Sequence, residues 1–383
     1  LRRSWPMVSS LSAVIVSHTS KIFSPAGPLR SVMGIDIGSS SIKIVQIRKK
    51  KGKAVLETYG ELALGPYAQT DVGRATNMPA EKLIEALKDI LRESNATTNQ
   101  CGCAISLSSS LIAFITIPKV DDKQMPDVVS LEARKYIPVP MGEVVLDWSV
   151  IPKEDVLESD EETKPDTKPT IDVLVAAIHN ETLSKFQSVM TGAGLAPTFF
   201  EIELFSTIRA CIEQGIHSHM VMDMGASATK LYILERGIVR ASHVINKGSQ
   251  DITLAISKSM SISVADAENL KRAYGLRGGP EHKDLAEIST LTLDYIFYES
   301  NRVLLNYQKK YNKNVSDIIL TGGGVMLKGF DELAKASFQT EVRYANPFAK
   351  IETPAFLEQQ LSEAGPEFAV AIGIALRRLN ELN

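Results

Sequence analysis

This chain of 383 residues has few cysteines, no excess of basic charge and no long apolar runs. It has 3 cysteines, and an odd count in so large a chain argues against a disulfide framework and for a reducing compartment. Lys and Arg number 42 against 45 Asp and Glu, a net charge of −3. We therefore expect no nucleic-acid ligand, which needs a concentrated basic surface. No stretch reaches the roughly 18 apolar residues of a membrane-spanning helix, so we expect no bilayer crossing. The length and the ordinary apolar content of the chain predict two or three domains with sizeable cores.

The first strong motif begins only at Met33. Before it, Arg2 and Arg3 precede the run MVSSLSAVIVS, which faintly resembles a signal peptide. The apolar run is short, interrupted by serines and lacks a convincing cleavage site. We expect residues 1–32 to be a disordered leader, or upstream sequence added by a mistaken start.

From Met33 onward, the chain contains a divergent internal duplication. An apolar strand meander opens there, and a second meander over 219–245 repeats its pattern. Between them the acidic, proline-bearing segment 153–170 predicts a mobile hairpin tip, with a partner-binding loop as the alternative. The predicted division is a leader at 1–32, lobe I at 33–112 and 196–218, an inserted α+β subdomain at 113–195, and lobe II at 219–383.

Both meanders place an aspartate inside an apolar strand just before a glycine: Asp36 in GIDIGSSSIK and Asp223 in MDMGASATK. A buried carboxylate costs several kcal/mol unless it is paired or binds a metal ion. At such a turn, glycine and small hydroxyl residues can cradle phosphate oxygens, and magnesium takes one or two carboxylates together with phosphates. A plain hairpin would explain one copy, but two copies favour a phosphate and magnesium site.

Two weaker signals follow along the chain. LTGGGVMLKGF places Gly322, Gly323 and Gly324 between a strand and a helix, where a nucleotide can lie against bare backbone. In SVADAENLKRAYG, Glu268 and Lys271 share a helix face and could reach ribose hydroxyls or form an ordinary surface ion pair. The glycine triplet is neither a Walker loop nor a dinucleotide fingerprint. It supports a nucleotide site only because it follows the two Asp–Gly turns along the chain.

In this order the motifs resemble those of the actin, sugar kinase and heat-shock chaperone ATPase superfamily. GIDIGSSSIK corresponds to the first phosphate loop, EIELFSTIRA to the first connecting element, DMGASATKL to the second phosphate loop, LTGGGVMLKG to the adenosine motif and FAVAIGIAL to the second connecting helix. The resemblance implies an α/β, actin-like ATPase fold: duplicated ribonuclease H-like lobes with an inserted α+β subdomain. Lobe II would carry nucleotide-capping helices at about 248–313.

Within that superfamily, the sequence most resembles the PilM family of type IV pilus assembly, and more distantly the FtsA division proteins. SLEARKYIPVPMGEVVLDWSVI falls where these families insert a subdomain of the 1C or SHS2 type. The resemblance implies an ATP- and Mg²⁺-binding cytoplasmic protein at the inner face of the cytoplasmic membrane. It would bind the N-terminal segment of a PilN-type membrane protein and associate with the membrane through it. Pilus motor or platform proteins, and a homodimer or short polymer, are further implied contacts.

Carried over position by position, the resemblance assigns roles to the motif residues. Asp36 and Asp223 would organise magnesium, largely through water, and Lys43 would lie near the β-phosphate. The phosphate contacts would come from Gly38, Ser39, Ser40, Ser41, Gly225, Ala226, Ser227, Thr229 and Lys230. The ribose and adenosine contacts would come from Gly248, Glu268, Lys271, Gly322, Gly323, Gly324 and Lys328.

Glu201 and Glu203 stand in EIELFSTIRA where superfamily members often have Asp or Gln. The catalytic residue that would position the attacking water stays open between these two candidates, and a weak ATPase is the most that the resemblance implies. Two alternatives share the fold: a small-molecule kinase, which needs an acceptor pocket, and an FtsA-like filament former. The inserted subdomain favours an assembly protein whose nucleotide state modulates partner binding.

Overall fold

A computed structural model describes residues 31–152, 169–213, 215–279, 282 and 284–382. The predicted acidic hairpin tip lies outside the described residues except for its last two positions, and so does the predicted leader up to residue 30. Residues 31 and 32 of that leader already belong to the first strand.

The strands are β1 Ser31–Ile37, β2 Ser41–Lys50, β3 Lys53–Ala63, β4 Gln100–Ile105, β5 Ser110–Pro118, β6 Val144–Ile151, β7 Thr170–His179, β8 Ala196–Ile202, β9 Ser218–Met224, β10 Thr229–Glu235, β11 Ile238–Ile245, β12 Asp317–Thr321 and β13 Glu341–Tyr344. The α-helices are α1 Ala80–Glu93, α2 Met125–Ala133, α3 Asn180–Gly192, α4 Glu203–Cys211, α5 Ser249–Met260, α6 Val264–Tyr274, α7 Asp284–Tyr311, α8 Phe330–Ser337, α9 Glu358–Ala364 and α10 Ala369–Asn380.

Two five-stranded sheets have the same strand order, β3-β2-β1-β4-β8 in lobe I and β11-β10-β9-β12-β13 in lobe II. In each sheet the first three strands form an antiparallel meander, and the last two join in parallel. The central strands read as nearly continuous apolar runs because both faces of each sheet are covered. The shared order confirms the duplication that the two meanders predicted.

The inserted subdomain is a small sheet, β5-β7-β6, packed between α2 and lobe I. Successive side chains of a strand point to opposite faces of the sheet, and the central strand β7 is apolar at both sets of positions. Residues of one face pack with α2: Val173, Val175 and Ala177. Residues of the other face belong to the lobe I core: Leu174, Ala176 and Ile178. The subdomain is therefore joined to lobe I by a shared apolar core.

Helix α3 falls inside the predicted insertion at 113–195 but packs on lobe I, against α1 and β8. Parallel strands need a crossover connection, and α3 is the crossover from β4 to β8. The insertion thus runs from β5, which begins at Ser110, to the end of β7 at His179. The periodicity of this segment could not reveal which sheet its helix covers.

Helices α4 and α10 cross in close contact beneath the sheet of lobe I. A Cβ added to Gly373 of α10 would overlap the carbonyl oxygen of Ser206 in α4, and one added to Gly34 of β1 would overlap the carbonyl oxygen of Ala371. Both positions thus bring backbones together with no room for a side chain. Among the described residues, none of the helices combines the length and the apolar character that a bilayer crossing requires.

Candidate functional site

The ends of β1 and β9 face each other across a cleft between the two lobes. Asp36 of β1 stands opposite Lys43 of β2 in the strand register, and Asp223 of β9 stands opposite Lys230 of β10 in the same way. The turns that follow are also alike, because the amide of Gly38 donates to the carbonyl of Ser41 and the amide of Gly225 to that of Ala228, both at 2.9 Å. The two turns thus present the same backbone geometry from opposite sides.

The cleft has a volume of about 540 Å³. Its two turns meet where the Ser227 hydroxyl donates to the Ser39 hydroxyl at 3.1 Å. A second contact between the lobes joins the amide of Ala75 to the side chain of Gln250 at 3.1 Å. The predicted residues that line this cleft are Asp36, Gly38, Ser39, Ser40, Ser41, Lys43, Glu203, Asp223, Gly225, Ala226, Ser227, Lys230, Glu268, Lys271, Gly322, Gly323 and Gly324.

Three carboxylates gather at the floor of the cleft: Asp36, Glu203 and Asp223. Burial, and next the Glu203 carboxylate, raise the pKa of Asp36 to about 7. Burial also raises the pKa of Asp223, against the attraction of Lys230. The Lys230 ammonium lies 2.7 Å from Glu203 and 3.6 Å from Asp223. Burial lowers its affinity for protons, but these carboxylates outweigh burial and raise the pKa of Lys230. The floor therefore carries an excess of negative charge.

Beside Lys43, the cleft is also lined by two glutamates that the sequence analysis missed, Glu61 and Glu367. Lys43 forms an ion pair with Glu61 at 2.8 Å and donates to the Ser41 hydroxyl at 2.7 Å. Burial, opposed by Lys43 and reinforced by Glu61, raises the pKa of Glu367. Glu61 lies opposite Lys43 in the strand register, and that register could have revealed it. Glu367 has no local signal, because it reaches the cleft only through the path of the chain before α10.

On the helical side of lobe II, Glu268 is an acceptor for three donors. The Thr253 hydroxyl, the Lys271 ammonium and the Arg272 guanidinium each lie 2.7 Å from its carboxylate. Burial opposes its charge, but Lys271 and these hydrogen bonds hold the pKa of Glu268 below its usual value. A Cβ on Gly73 of lobe I would come 2.8 Å from the Glu268 carboxylate. Lobe I therefore closes over this edge of the cleft.

The glycine triplet follows β12 and borders the second phosphate turn. Gly322 has φ +86°, and a Cβ there would lie 2.5 Å from Oδ1 of Asp223. A Cβ on Gly324 would lie 2.5 Å from Cγ of Met224. The left-handed conformation and the close approach both exclude a larger residue at Gly322. The triplet thus leaves backbone exposed directly beside Asp223.

Four predicted site residues lie away from the cleft surface. The Thr229 hydroxyl donates to the carbonyl of Lys247 at 2.9 Å, and Gly248 packs against the backbone of Ala226. Both support the second phosphate turn from behind. The Lys328 ammonium donates to the carbonyl of Ala273 at 2.6 Å and so joins the glycine loop to the end of α6.

Glu201 is the fourth residue away from the cleft, in a buried ion cluster. Arg209 donates to both of its carboxylate oxygens at 2.8 Å, and Arg377 donates at 2.7 Å. Glu203, two residues later, faces the cleft and accepts from the amide of Leu107 at 2.6 Å. Of the two candidates for positioning water, only Glu203 is therefore near the phosphate turns.

Comparison with known proteins was decisive for the family. The family model for type IV pilus assembly protein PilM matches residues 34–379. The chain belongs to the PilM family. A solved PilM-PilN type IV pilus biogenesis complex contains a chain that is 26% identical, with a TM-score of 0.75, and the match covers 93% of this chain and 99% of that one. Belonging to this family confirms the resemblance noted in the sequence.

More distant relatives establish the wider fold, which is that of the actin-like ATPases. The division protein FtsA of Borreliella burgdorferi is 21% identical over 393 residues, covering 90% of both chains. FtsA of Buchnera aphidicola is 29% identical over 155 residues, which cover 33% of this chain and only 37% of that protein. The MreB5 structure of Spiroplasma citri bound to ADP has a TM-score of 0.51 at 13% identity, covering 93% of this chain and 100% of that one. Likeness at this level shows the fold alone.

Proposed function

We propose that the chain binds ATP with Mg²⁺ in the cleft and acts as a nucleotide-dependent assembly protein of type IV pili. The observation that carries this proposal is the pair of matched turns, each with its Asp–Lys pair, facing each other across the cleft. Exposed amides and hydroxyls at such turns suit phosphate oxygens. The bound ADP of the distant MreB5 structure supports a nucleotide in this fold.

The Asp36 and Asp223 carboxylates at the floor of the cleft would suit a magnesium ion that keeps its water ligands. Asp36 and Asp223 have raised pKa values because burial and neighbouring carboxylates leave their charge incompletely compensated. Magnesium retains several waters and uses one or two carboxylates together with phosphates. Asp36 and Asp223 would hold it, largely through water, and when bound it would neutralise phosphate charge. Lys230 and Lys43 would orient the phosphates, and Glu268 and Lys271 would contact the ribose.

For hydrolysis, we propose Glu203 as the residue nearest to the reacting phosphate. Its carboxylate is already engaged by Leu107 and Lys230, at 2.6 and 2.7 Å. These hydrogen bonds must be broken or shared before the carboxylate can orient a water molecule. We therefore propose that ATP binding is the main activity and that hydrolysis is slow.

We further propose that the inserted subdomain, with adjacent lobe I, receives the N-terminal segment of a PilN-type membrane protein. The PilM-PilN complex supports this partner. Through it the chain would be held at the cytoplasmic face of the inner membrane, near motor or platform proteins. The family assignment favours this role over a small-molecule kinase or an FtsA-like filament.

The connection into the subdomain offers a route for nucleotide to influence the partner. Glu203 accepts from Ser106 and Leu107, the residues just before β5, and from Lys230 of lobe II. The connection out of the subdomain leads into α3, whose Lys185 and Phe186 line the cleft. Both connections thus border the proposed nucleotide site.

Isothermal titration calorimetry with Mg²⁺-ATP tests the binding proposal. We expect Asp36→Asn and Asp223→Asn to weaken binding at least tenfold, because each removes a carboxylate from the proposed magnesium site. Asp122→Asn, an exposed carboxylate of the subdomain, is the matched control and should bind like the wild type. Unchanged affinity in both cleft variants would contradict the assignment. Capture of a synthetic PilN-type N-terminal peptide, with and without ATP, tests the partner.

A further inference from the structure

The outer face of α7 carries large apolar side chains that no described residue covers. This helix has 28 residues and lies in lobe II, on the side away from the cleft lining. Leu291, Tyr298 and Leu305 are 70%, 67% and 53% exposed, and Tyr295 beside them is 51% exposed. Their spacing puts them on one stripe of the helix. Several large apolar side chains exposed on one stripe of a folded helix indicate an interaction surface.

Four charged residues along this stripe stand in two pairs placed symmetrically about Tyr298. Four positions on either side stand Asp294 and Arg302, and eleven positions on either side stand Glu287 and Lys309. These four side chains are exposed. In the part of the chain that the structure describes, Glu287, Asp294 and Lys309 form no ion pair. Arg302 bonds to Glu299 at 2.6 Å, and its five donors leave capacity for a second carboxylate.

Two of the apolar residues follow the same symmetry, because Leu291 and Leu305 each stand seven positions from Tyr298, whereas Tyr295 has Asn301 at the mirrored position. When two copies of one helix pack antiparallel about a two-fold axis, a residue before the axis meets the residue equally far beyond it on the partner. An axis at Tyr298 would join Asp294 to Arg302 and Leu291 to Leu305, each twice. A parallel pair would instead oppose like charges.

We propose that α7 is a homodimer interface in which two copies of this chain pack antiparallel about a two-fold axis at Tyr298. The two charge pairs and the Leu291–Leu305 contact are self-complementary, and a second copy of the chain supplies both. A single helix pair is at the small end of specific interfaces, so this dimer dissociates on dilution. It leaves the cleft and the inserted subdomain of each copy free, and it does not depend on nucleotide.

Charge reversal in the full chain tests the pairing, measured by sedimentation over a range of concentrations. Asp294→Arg alone, or Arg302→Asp alone, opposes like charges twice and should raise the dissociation constant by about tenfold or more. An equimolar mixture of these two variants should dimerise again, because every pair then has opposite charges. Lys88→Asp on the exposed face of α1 changes the net charge as Arg302→Asp does and should leave dimerisation unchanged.

Cysteine cross-linking tests the position of the axis independently. The native Cys101, Cys103 and Cys211 are buried. Under mild oxidation with copper–phenanthroline, Tyr298→Cys should form a disulfide-linked dimer. Lys309→Cys should not, because the two copies of that position lie about 33 Å apart along an antiparallel pair at 1.5 Å per residue.

Three outcomes would overturn the proposal. One is a dimer that neither charge reversal weakens, which would place the contact elsewhere. Another is cross-linking through Lys309→Cys, which would indicate a parallel pair. The last is a chain that stays monomeric while the thiol of Tyr298→Cys is shielded from a maleimide, which would show that another segment of the same chain covers α7.

Discussion

At the scale of single residues, Asp36 lies in surroundings that oppose the charge of its carboxylate. Burial, followed by the Glu203 carboxylate, raises the pKa of Asp36 from 3.8 to about 7. A carboxyl group with a higher pKa in the folded chain takes up protons on folding. Its contribution to stability is complete below about pH 4 and is lost as the pH rises through 7. The ionised form thus destabilises the empty protein, and a bound cation would offset this cost.

Asp36→Asn should therefore stabilise the protein in magnesium-free buffer at neutral pH. We expect the free energy of unfolding to rise by about 1–3 kcal/mol at pH 7.5, because the amide carries no charge, and by much less at pH 5. Urea unfolding at the two pH values measures this difference. Asp122→Asn, at an exposed position, is the control and should change the free energy of unfolding by less than about 0.5 kcal/mol at pH 7.5. An equal gain for Asp36→Asn at both pH values would contradict the raised pKa.

Glu201 contrasts with Asp36: it is fully buried, but two arginines compensate the charge of its carboxylate. Burial opposes its charge, yet Arg209 and Arg377 hold the pKa of Glu201 below its usual value. The Arg377 guanidinium also stacks on the ring of Phe199, 4.1 Å from its centroid. The cluster joins β8, α4 and α10, so Glu201 stabilises the fold near the crossing of the two helices.

Glu201→Gln should lower the free energy of unfolding by about 3–5 kcal/mol, because two guanidinium groups lose their shared carboxylate. Thermal and urea unfolding measure the loss. Glu352→Gln, which breaks an exposed ion pair with Lys53, is the matched control and should leave stability unchanged. A neutral effect of Glu201→Gln would mean that water compensates the cluster.

At the scale of elements, the crossing of α4 and α10 depends on an absent side chain. Residues 369–375 of α10 are all buried against lobe I, and Gly373 meets the backbone of α4 directly. Close-packed helices of this kind cannot accommodate an extra methyl group without moving apart. The spacing of these helices in turn positions Glu203, the first residue of α4, at the cleft.

Gly373→Ala should lower the free energy of unfolding by about 1–3 kcal/mol, although alanine has the higher helix propensity. The same change at Gly142, where an added Cβ meets nothing within 4 Å, should alter stability by less than about 0.5 kcal/mol. Urea unfolding compares the two variants. A gain in stability at Gly373 would show that the helices separate without cost.

At the scale of the whole molecule, one residue links lobe II to the segment of lobe I that leads into the inserted subdomain. Glu203 contacts Lys230 of β10 and the backbone of Leu107, three residues before the insertion. If ATP alters the affinity for a partner peptide by some factor, the peptide alters the affinity for ATP by the same factor. Coupling through this carboxylate would then depend on its charge.

In coupled systems, one ligand typically changes the affinity for the other by about 5- to 150-fold, or about 1–3 kcal/mol. Glu203→Gln should bring the change in peptide affinity that ATP causes close to onefold. Titration of a PilN-type peptide with and without Mg²⁺-ATP measures this factor. Because both affinities are measured, loss of coupling is distinguished from loss of binding. Glu332→Gln, on the exposed side of α8 in lobe II, should retain the full factor. Undiminished coupling in Glu203→Gln would point to another route.

The sequence by itself determined the strand meanders, the two glycine turns that follow Asp36 and Asp223, and the family. Each of these is encoded within a few consecutive residues, as in GIDIGSSSIK, where apolar alternation, glycine and serines specify a strand and its turn. Such patterns act through local conformation and the periodicity of burial, so they can be read without knowing the rest of the chain.

Only the tertiary structure decided which charged residues meet. Glu201 and Glu203 are two residues apart, yet the junction of β8 and α4 directs one into a buried cluster and the other to the cleft. Glu367 approaches Lys43 from the far end of the chain. The uncovered face of α7 is likewise visible only when its buried face is known. Contacts between distant segments depend on packing of the whole chain, and no local pattern encodes them.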